Sequence, residues 1–303
     1  MSALICGSLA YDTITNFPGR FAQQILPDQV HILNVSFLVP TLRREFGGCA
    51  GNIAYTLRQL GGEPIVLATL GADGQDYLER IRSWGATTDH VRVIDDSYTA
   101  QAIIITDADN NQITAFHPGA MQLAHRSAIP TGSDLRIAIV APDGRDAMIQ
   151  HAEQLAASGI PFIFDPGQGL PMFDGRELDH FLDLATWVAV NDYEARMLCD
   201  RTGQSLESLS ESRLTGLVVT LGADGSEVWT GGRRIHVPGL PAAQVVDPTG
   251  CGDAFRGALL FGLERGWTLE RCARLGNQVG AIKIGHRGGQ NHTVPVSLLH
   301  ERA

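Results

Sequence analysis

Residues 247–257, Asp247-Pro-Thr-Gly-Cys-Gly-Asp-Ala-Phe-Arg-Gly257, combine the groups that phosphate chemistry needs. Val245-Val246 lead in and a helical pattern from Ala254 to Leu263 leads out. Gly250 and Gly252 flank Cys251, and Asp253 falls in the first helical turn. Such a turn aims unpaired backbone N–H groups at one spot, and the helix dipole adds partial positive charge there. The result is an anion site. A carboxylate beside an anion site makes chemical sense if it takes up a proton during reaction. Transfer of a phosphoryl group to a hydroxyl needs both parts, a cradle for the moving charge and a base for the attacking oxygen. A plain helix cap would explain Asp253 alone. It would not explain the paired glycines, with Asp247 and Thr249 just upstream.

A second cluster lies early in the chain. Gly47-Gly48-Cys-Ala-Gly51-Asn52 opens a helix. Gly48 permits close backbone approach to a ligand, and the Asn52 amide can both donate to and accept from a sugar hydroxyl. Asp12 follows the first strand, where ligands of open α/β sheets gather, and its carboxylate suits a vicinal diol. Taken singly, each has an ordinary alternative: a glycine turn, a solvated loop acid.

The elements that must carry these groups alternate. Strand candidates are Ala3–Cys6, Pro64–Leu70, Ile137–Ala141, Phe162–Phe164, Trp187–Val190, Gly216–Leu221 and Gln244–Val246. Helix candidates are 51–60, 75–84, 146–158, 177–184, 192–200, 252–263 and 269–284. Apolar strands alternating with helices predict a mostly parallel sheet covered on both faces. The β-rich pieces at 10–46, with Val30–Val39 extended, and at 96–119 fit that layer poorly. They are expected to form a small β-sheet lid inserted in one α/β domain spanning 1–303. Edge hairpins of the main sheet are the alternative. Thr69-Leu-Gly-Ala-Asp-Gly74 recurs as Thr220-Leu-Gly-Ala-Asp-Gly225, each a strand end passing into a glycine turn rather than a duplication.

Composition narrows the class. The chain has 303 residues, 44% hydrophobic and 18% charged, with a formal charge of −10. No basic block offsets that charge, which argues against a nucleic-acid surface. Five scattered cysteines show no metal-ligand spacing, so reduced thiols in a cytoplasmic protein are expected. No bilayer-spanning run and no secretory signal are visible, and no membrane partner is expected.

The early Gly47-Gly-x-x-Gly-Asn52 with the late Asp247-x-Thr-Gly-x-Gly-Asp253 resembles the PfkB-type, or ribokinase-like, carbohydrate and nucleoside kinases. Asn191-Asp-Tyr-Glu194 and Thr220-Leu-Gly222 fall in the family's order, so the likeness covers nearly the whole chain. Phe17-Pro-Gly-Arg-Phe21, Ser36-Phe-Leu-Val39, Phe116-His-Pro-Gly-Ala-Met121 and Gly252-Asp-Ala-Phe-Arg256 are most similar to bacterial adenosine kinases. The resemblance implies a ribokinase-like α/β fold and MgATP-dependent phosphorylation of an alcohol. It implies that Asp253 is the base, and that the backbone of Gly250, Cys251 and Gly252 forms the anion hole. Asp12, Gly48 and Asn52 would hold the sugar. Asn191 and Glu194 would help place Mg²⁺ and phosphate, largely through water; a capping box is their plainer role. Thr220, Gly222 and Gly225 would border ATP, with Asn277 near its base or ribose. Asp247 and Thr249 match positions of a monovalent-cation site for K⁺. Arg256 would reach phosphate or pair with Asp253 on the helix surface. A homodimer through the lid sheet is also implied.

For a purine, Phe116 and Phe37 are the flat surfaces, and Ser8 and Ser36 the polar contacts. Ala100-Gln-Ala-Ile103 lacks an aromatic, and Met172 stands where an Arg is expected. These departures point to a different or wider set of acceptable nucleosides. The expected reaction moves the γ-phosphate of ATP to the 5′-hydroxyl of a purine nucleoside, adenosine first. A sugar kinase of ribokinase or fructokinase type and a non-catalytic nucleoside-binding protein are the rivals. A dinucleotide oxidoreductase lacks its glycine fingerprint after the first strand.

Overall fold

The computed structural model describes residues 2–25, 34–131, 134–295 and 298. Its strands are β1 (Ser2–Cys6), β2 (Ala10–Asn16), β3 (Thr41–Gly47), β4 (Glu63–Gly71), β5 (Val91–Ile94), β6 (Ala100–Thr106) and β7 (Gln112–His117). They continue with β8 (Leu135–Val140), β9 (Phe162–Phe164), β10 (Trp187–Asn191), β11 (Gly216–Thr220), β12 (Gly225–Thr230) and β13 (Arg233–Pro238). The helices are α1 (Phe21–Gln24), α2 (Cys49–Gln59), α3 (Gln75–Ser83), α4 (Arg145–Ala157), α5 (Gly175–Leu184), α6 (Asp192–Thr202), α7 (Leu206–Ser212), α8 (Cys251–Glu264) and α9 (Leu269–Lys283).

Among the described residues, nine strands form one sheet in the order β13-β12-β11-β10-β9-β8-β1-β4-β5, parallel from β11 to β5 and antiparallel at β12 and β13. In β1, Ala3 and Ile5 point into the core under α2 and α8, while Leu4 and Cys6 point into the core under α4 and α5. That two-sided burial is why the parallel strands read as unbroken apolar runs. Each fully buried Ile, Leu or Phe contributes about 1.5–3 kcal/mol. The chain leaves β1 toward β4 on one side and adds β8 on the other, so the switch point lies at the β1/β8 boundary. Ligands of open α/β sheets bind beyond strand ends at such a point.

Four strands form a second sheet in the order β3-β2-β6-β7, with β2 and β6 parallel. The β-rich segments expected to leave the main layer therefore do so, and they are not edge hairpins of it. Val91–Ile94 lies outside those segments and is β5, which pairs with β4 at the edge of the large sheet. Residues 34–39 belong to no strand or helix, so the run expected to be extended at Val30–Val39 is not paired into either sheet there; 30–33 lie outside the described residues. Gln244–Val246 is not a strand either. It is a loop with Val245 75% exposed, and the last strands are instead the β12–β13 hairpin around Gly231-Gly232.

Helix α8 crosses α2 closely. A Cβ on Gly257 would lie 2.9 Å from Thr56 Cβ and 3.0 Å from the Ile53 carbonyl. This contact brings the N-terminal turns of the two helices, and so both sequence motifs, to one place.

Candidate active site

Gly250 is the N-cap of α8, with φ +77°, a left-handed backbone that side chains rarely adopt. A Cβ there would also lie 3.0 Å from Gly289 Cα, in the turn that follows α9. No side chain caps the start of α8, the Cys251 N–H turns back to the Pro248 carbonyl at 3.1 Å, and Asp253 falls in the first turn. Burial pushes the Asp253 carboxyl up to about 6, against the lowering effect of a hydrogen bond from Asn52. A carboxylate poised there is ionised at neutral pH yet basic enough to accept a proton.

Asn52 Nδ2 donates to Asp253 Oδ2 at 2.8 Å. Gln290 Nε2 donates to Asn52 Oδ1 at 3.1 Å and to the Tyr77 hydroxyl at 2.6 Å, and Tyr77 donates to the Gly47 carbonyl at 2.6 Å. Asn52 is thus fixed with its NH₂ toward the acid; its first role in this structure is to orient Asp253. Tyr77, Gln290 and Gly289 escaped sequence reasoning. Their one signal was Gly288-Gly289, a glycine pair like Gly47-Gly48, Gly61-Gly62 and Gly231-Gly232.

Asp12 sits on β2, between β3 and β6, and among the described residues no group donates a hydrogen bond to its carboxylate. Burial, then the charges of Asp253, Asp247 and Glu45, push its carboxyl up to about 6. In register across the small sheet lie Glu45, Asp12, Ala102 and Phe116, one on each strand. Directly paired residues share a face, so Asp12 and Phe116 face the same way, with the small Ala102 between them. Phe116 is 54% exposed.

Other expected residues have occupations of their own. Gly48 has φ +83°, and a Cβ would lie 2.6 Å from both the Ser8 carbonyl and the Ala10 N. Close approach of the chain's own backbone already requires this glycine. Ser8 Oγ accepts the Cys49 N–H at 3.2 Å and so caps α2, keeping its own proton for another acceptor. Ser36 is exposed in the irregular 34–39 run. Phe37 packs on Phe17 and Phe21, with ring centroids 5.0 Å away in each case, and is not a free stacking surface.

Asn191 ends β10 in register with Thr220 at the end of β11, so both stand on the same rim of the sheet. Thr220 Oγ1 turns back to the Val190 carbonyl, 3.4 Å away. Gly222 (φ +60°) and Gly225 (φ +96°) shape the following turn into β12. Asn191 and Glu194 make the capping box in full: each side chain accepts the other's backbone N–H at 2.8 Å. Asn277 Nδ2 donates to the Val237 and Pro238 carbonyls at 3.0 and 3.2 Å, which ties α9 to the end of β13 and spends the amide on the protein itself.

Arg256 neither lies on the helix surface nor pairs with Asp253. It is buried, with Nε and Nη2 each donating to Asp165 at 3.1 Å and Nη2 also to the Ala189 carbonyl at 3.2 Å. Glu194 Oε2 is 3.9 Å from the same Nη2. Burial raises the Glu194 carboxyl, as does Asp165, while Arg256 lowers it. Asp165 went unnoticed in the sequence, as did Asp143, which burial pushes up to about 8 at the end of β8.

The residues expected to hold K⁺ do not fit that ion. The Asp247 carbonyl accepts Lys283 Nζ at 2.8 Å, and its carboxylate accepts the Thr249 and Gly288 N–H groups, each at 2.9 Å. Among the described residues there is likewise no group of three or more His, Cys, Asp or Glu able to hold a metal.

Comparison with known proteins agrees with this architecture. The model of the pfkB family carbohydrate kinases matches residues 19–296. A solved nucleoside kinase of Burkholderia thailandensis, in complex with inosine, is 51% identical over 98% of this chain and 95% of that one, with a TM-score of 0.88. The same protein solved with ADP-inosine is 53% identical over 98% and 93%, with a TM-score of 0.85. A nucleoside kinase of Methanocaldococcus jannaschii is 27% identical over 271 residues, 89% of each chain. The nine-stranded sheet, the four-stranded sheet beside it and the paired motifs at α2 and α8 accord with these likenesses: the chain belongs to the pfkB family of carbohydrate kinases, phosphotransferases with an alcohol acceptor.

Proposed function

We propose that the protein transfers the γ-phosphate of MgATP to the 5′-hydroxyl of purine nucleosides, adenosine and inosine among them. Asp12 and the Asn52 amide orient the ribose. The Asp253 carboxylate takes the 5′-hydroxyl proton as that oxygen attacks the γ-phosphorus. The bond from phosphorus to the β–γ bridging oxygen breaks, and ADP leaves with its electron pair. The N–H groups of Gly250 and Gly252 face the charge on the transferring group, and the Cys251 N–H joins them by leaving the Pro248 carbonyl it meets at 3.1 Å. Asn191 and Glu194, on the rim near Thr220, Gly222 and Gly225, would meet the water shell of a Mg²⁺ brought with the nucleotide, which would supply neutralisation of phosphate charge. Closure of the small sheet keeps water from competing with the nucleoside.

One observation carries the nucleoside part: Asp12, Ala102 and Phe116 lie in a row on one face of the small sheet. Adjacent strands are about 4.8 Å apart, so the row runs about 10 Å from a diol-binding carboxylate to an exposed aromatic ring. That span suits a ribose with a base attached; a free pentose would leave Phe116 uncovered. The Burkholderia thailandensis relative, a nucleoside kinase solved with inosine and with ADP-inosine, supports the same substrate class. A homodimer through the small sheet belongs to this reading, supported by exposed Leu42 on β3 and exposed Ile113 on β7, the two outer strands. No helix among the described residues is long and apolar enough to cross a membrane.

A panel of adenosine, inosine, guanosine, cytidine, ribose and fructose with ATP tests the reading through ADP release, with ³¹P NMR to locate the new phosphate. Purine nucleosides are expected to exceed the free sugars in kcat/KM by at least about tenfold, because truncated substrates forfeit binding energy used in the transition state. Ribose or fructose as the best acceptor would overturn it.

A further inference from the structure

Lys283 is the only lysine among the 23 basic residues of the chain. It ends α9 and is completely buried. Its Nζ donates to two main-chain carbonyls, Asp247 at 2.8 Å and His286 at 3.1 Å. Asp247 opens the glycine motif, and His286 lies in the turn after α9. The same two segments are joined by the Val246 and Asp247 N–H groups, both on the Ile284 carbonyl, and by the Gly288 N–H on the Asp247 carboxylate. Gly289, next along that turn, is the residue against which Gly250 packs.

A cation therefore sits where loop carbonyls converge, at the negative end of a helix dipole and beside a carboxylate. Converging backbone carbonyls are the means by which proteins hold a bare potassium ion. A compact ammonium with three divergent donors can take that place, whereas a planar guanidinium cannot. This explains a lysine here in a chain that otherwise uses arginine.

We propose that the Lys283 ammonium stands in for the monovalent cation expected at Asp247 and Thr249. It clamps the 246–249 loop against the 284–288 turn behind Gly250, so the anion cradle is assembled without K⁺. The consequence is a kinase indifferent to K⁺.

The test compares wild-type protein in KCl, NaCl and tetramethylammonium chloride at matched ionic strength, by thermal unfolding midpoint and by kcat. Neither is expected to respond specifically to K⁺. Lys283→Met is expected to lower kcat by at least about tenfold, as removal of charge behind an oxyanion site does. In Lys283→Ala, K⁺ or ammonium is expected to raise the midpoint, as any ligand of the folded state does, and to recover several-fold of the lost rate. A K⁺-specific rise in the wild-type midpoint or rate would overturn the proposal. So would wild-type kcat in Lys283→Met, or no rescue of a folded Lys283→Ala. Should the variants not fold, the wild-type salt comparison decides alone. The rate arm rests on the phosphoryl-transfer reading; the thermal arm needs no turnover, so it separates failure of this proposal from failure of that one.

Discussion

Replacing Asn52 by Leu should move the acid limb of the pH–rate profile upward. In the folded protein Asn52 Nδ2 donates to Asp253 Oδ2 at 2.8 Å, and this bond is the main influence opposing the burial that pushes the carboxyl to about 6. A hydrogen bond to a charged group is worth about 1.5–3 kcal/mol, and about 1.4 kcal/mol corresponds to one pH unit. Without the bond the ionised form loses support while the protonated form does not. The limb should therefore climb by about one to two pH units. At pH 7 the base would fall from about nine-tenths ionised to between about one-half and one-tenth. The assay is kcat/KM against pH from 5 to 9.5, which reports the free enzyme's groups. Asp12 is pushed into the same range, so the comparison is repeated in Asp12→Asn. Loss of a sugar contact alone would scale the profile down equally at every pH. A limb that stays at about 6 in Asn52→Leu would refute the role given to this amide.

Three further outcomes are expected. The Asp253 carboxyl is raised in the fold to about 6 from 3.8, so the folded state holds extra protons between those values and stability falls as pH rises through them. Asp253→Asn should thus be more stable than wild type at pH 8 by about 1–3 kcal/mol, with the gain gone near pH 4, as read by urea denaturation. Arg256→Met leaves the buried Asp165 carboxylate without its bidentate partner and should cost about 3–5 kcal/mol in the same assay, with a double Arg256→Met, Asp165→Leu variant recovering much of it. Gly48→Ala forces a Cβ to within 2.6 Å of two backbone atoms; poor yield of folded protein is expected, and a normal thermal midpoint would contradict that packing.

The motif around Asp253 was legible because an anion cradle and its base are built from one contiguous turn. The alternating core strands were legible for a similar reason, since burial on both faces writes itself as apolar runs. The partners were not. Asn52 reaches Asp253 across 201 positions, Gln290 reaches Asn52 across 238, and Arg256 reaches Asp165 across 91. No local pattern encodes such pairings, which depend on how closely α8 crosses α2 and on the turn after α9. Gln244–Val246 misled because an apolar run in a loop looks like one in a strand. The β12–β13 hairpin, in contrast, carried a readable signal, a Gly231-Gly232 turn between two alternating segments. Lys283 could have been singled out as the chain's one lysine, but its carbonyl partners follow only from the fold.

The account stands on the Asp253 carboxylate accepting a proton beside the N-terminal amides of α8. The most direct measurement is kcat of Asp253→Asn with a purine nucleoside and MgATP, alongside nucleoside affinity by calorimetry. A fall in kcat of at least about 10² with nucleoside affinity retained is predicted. A kcat within a few-fold of wild type would contradict it.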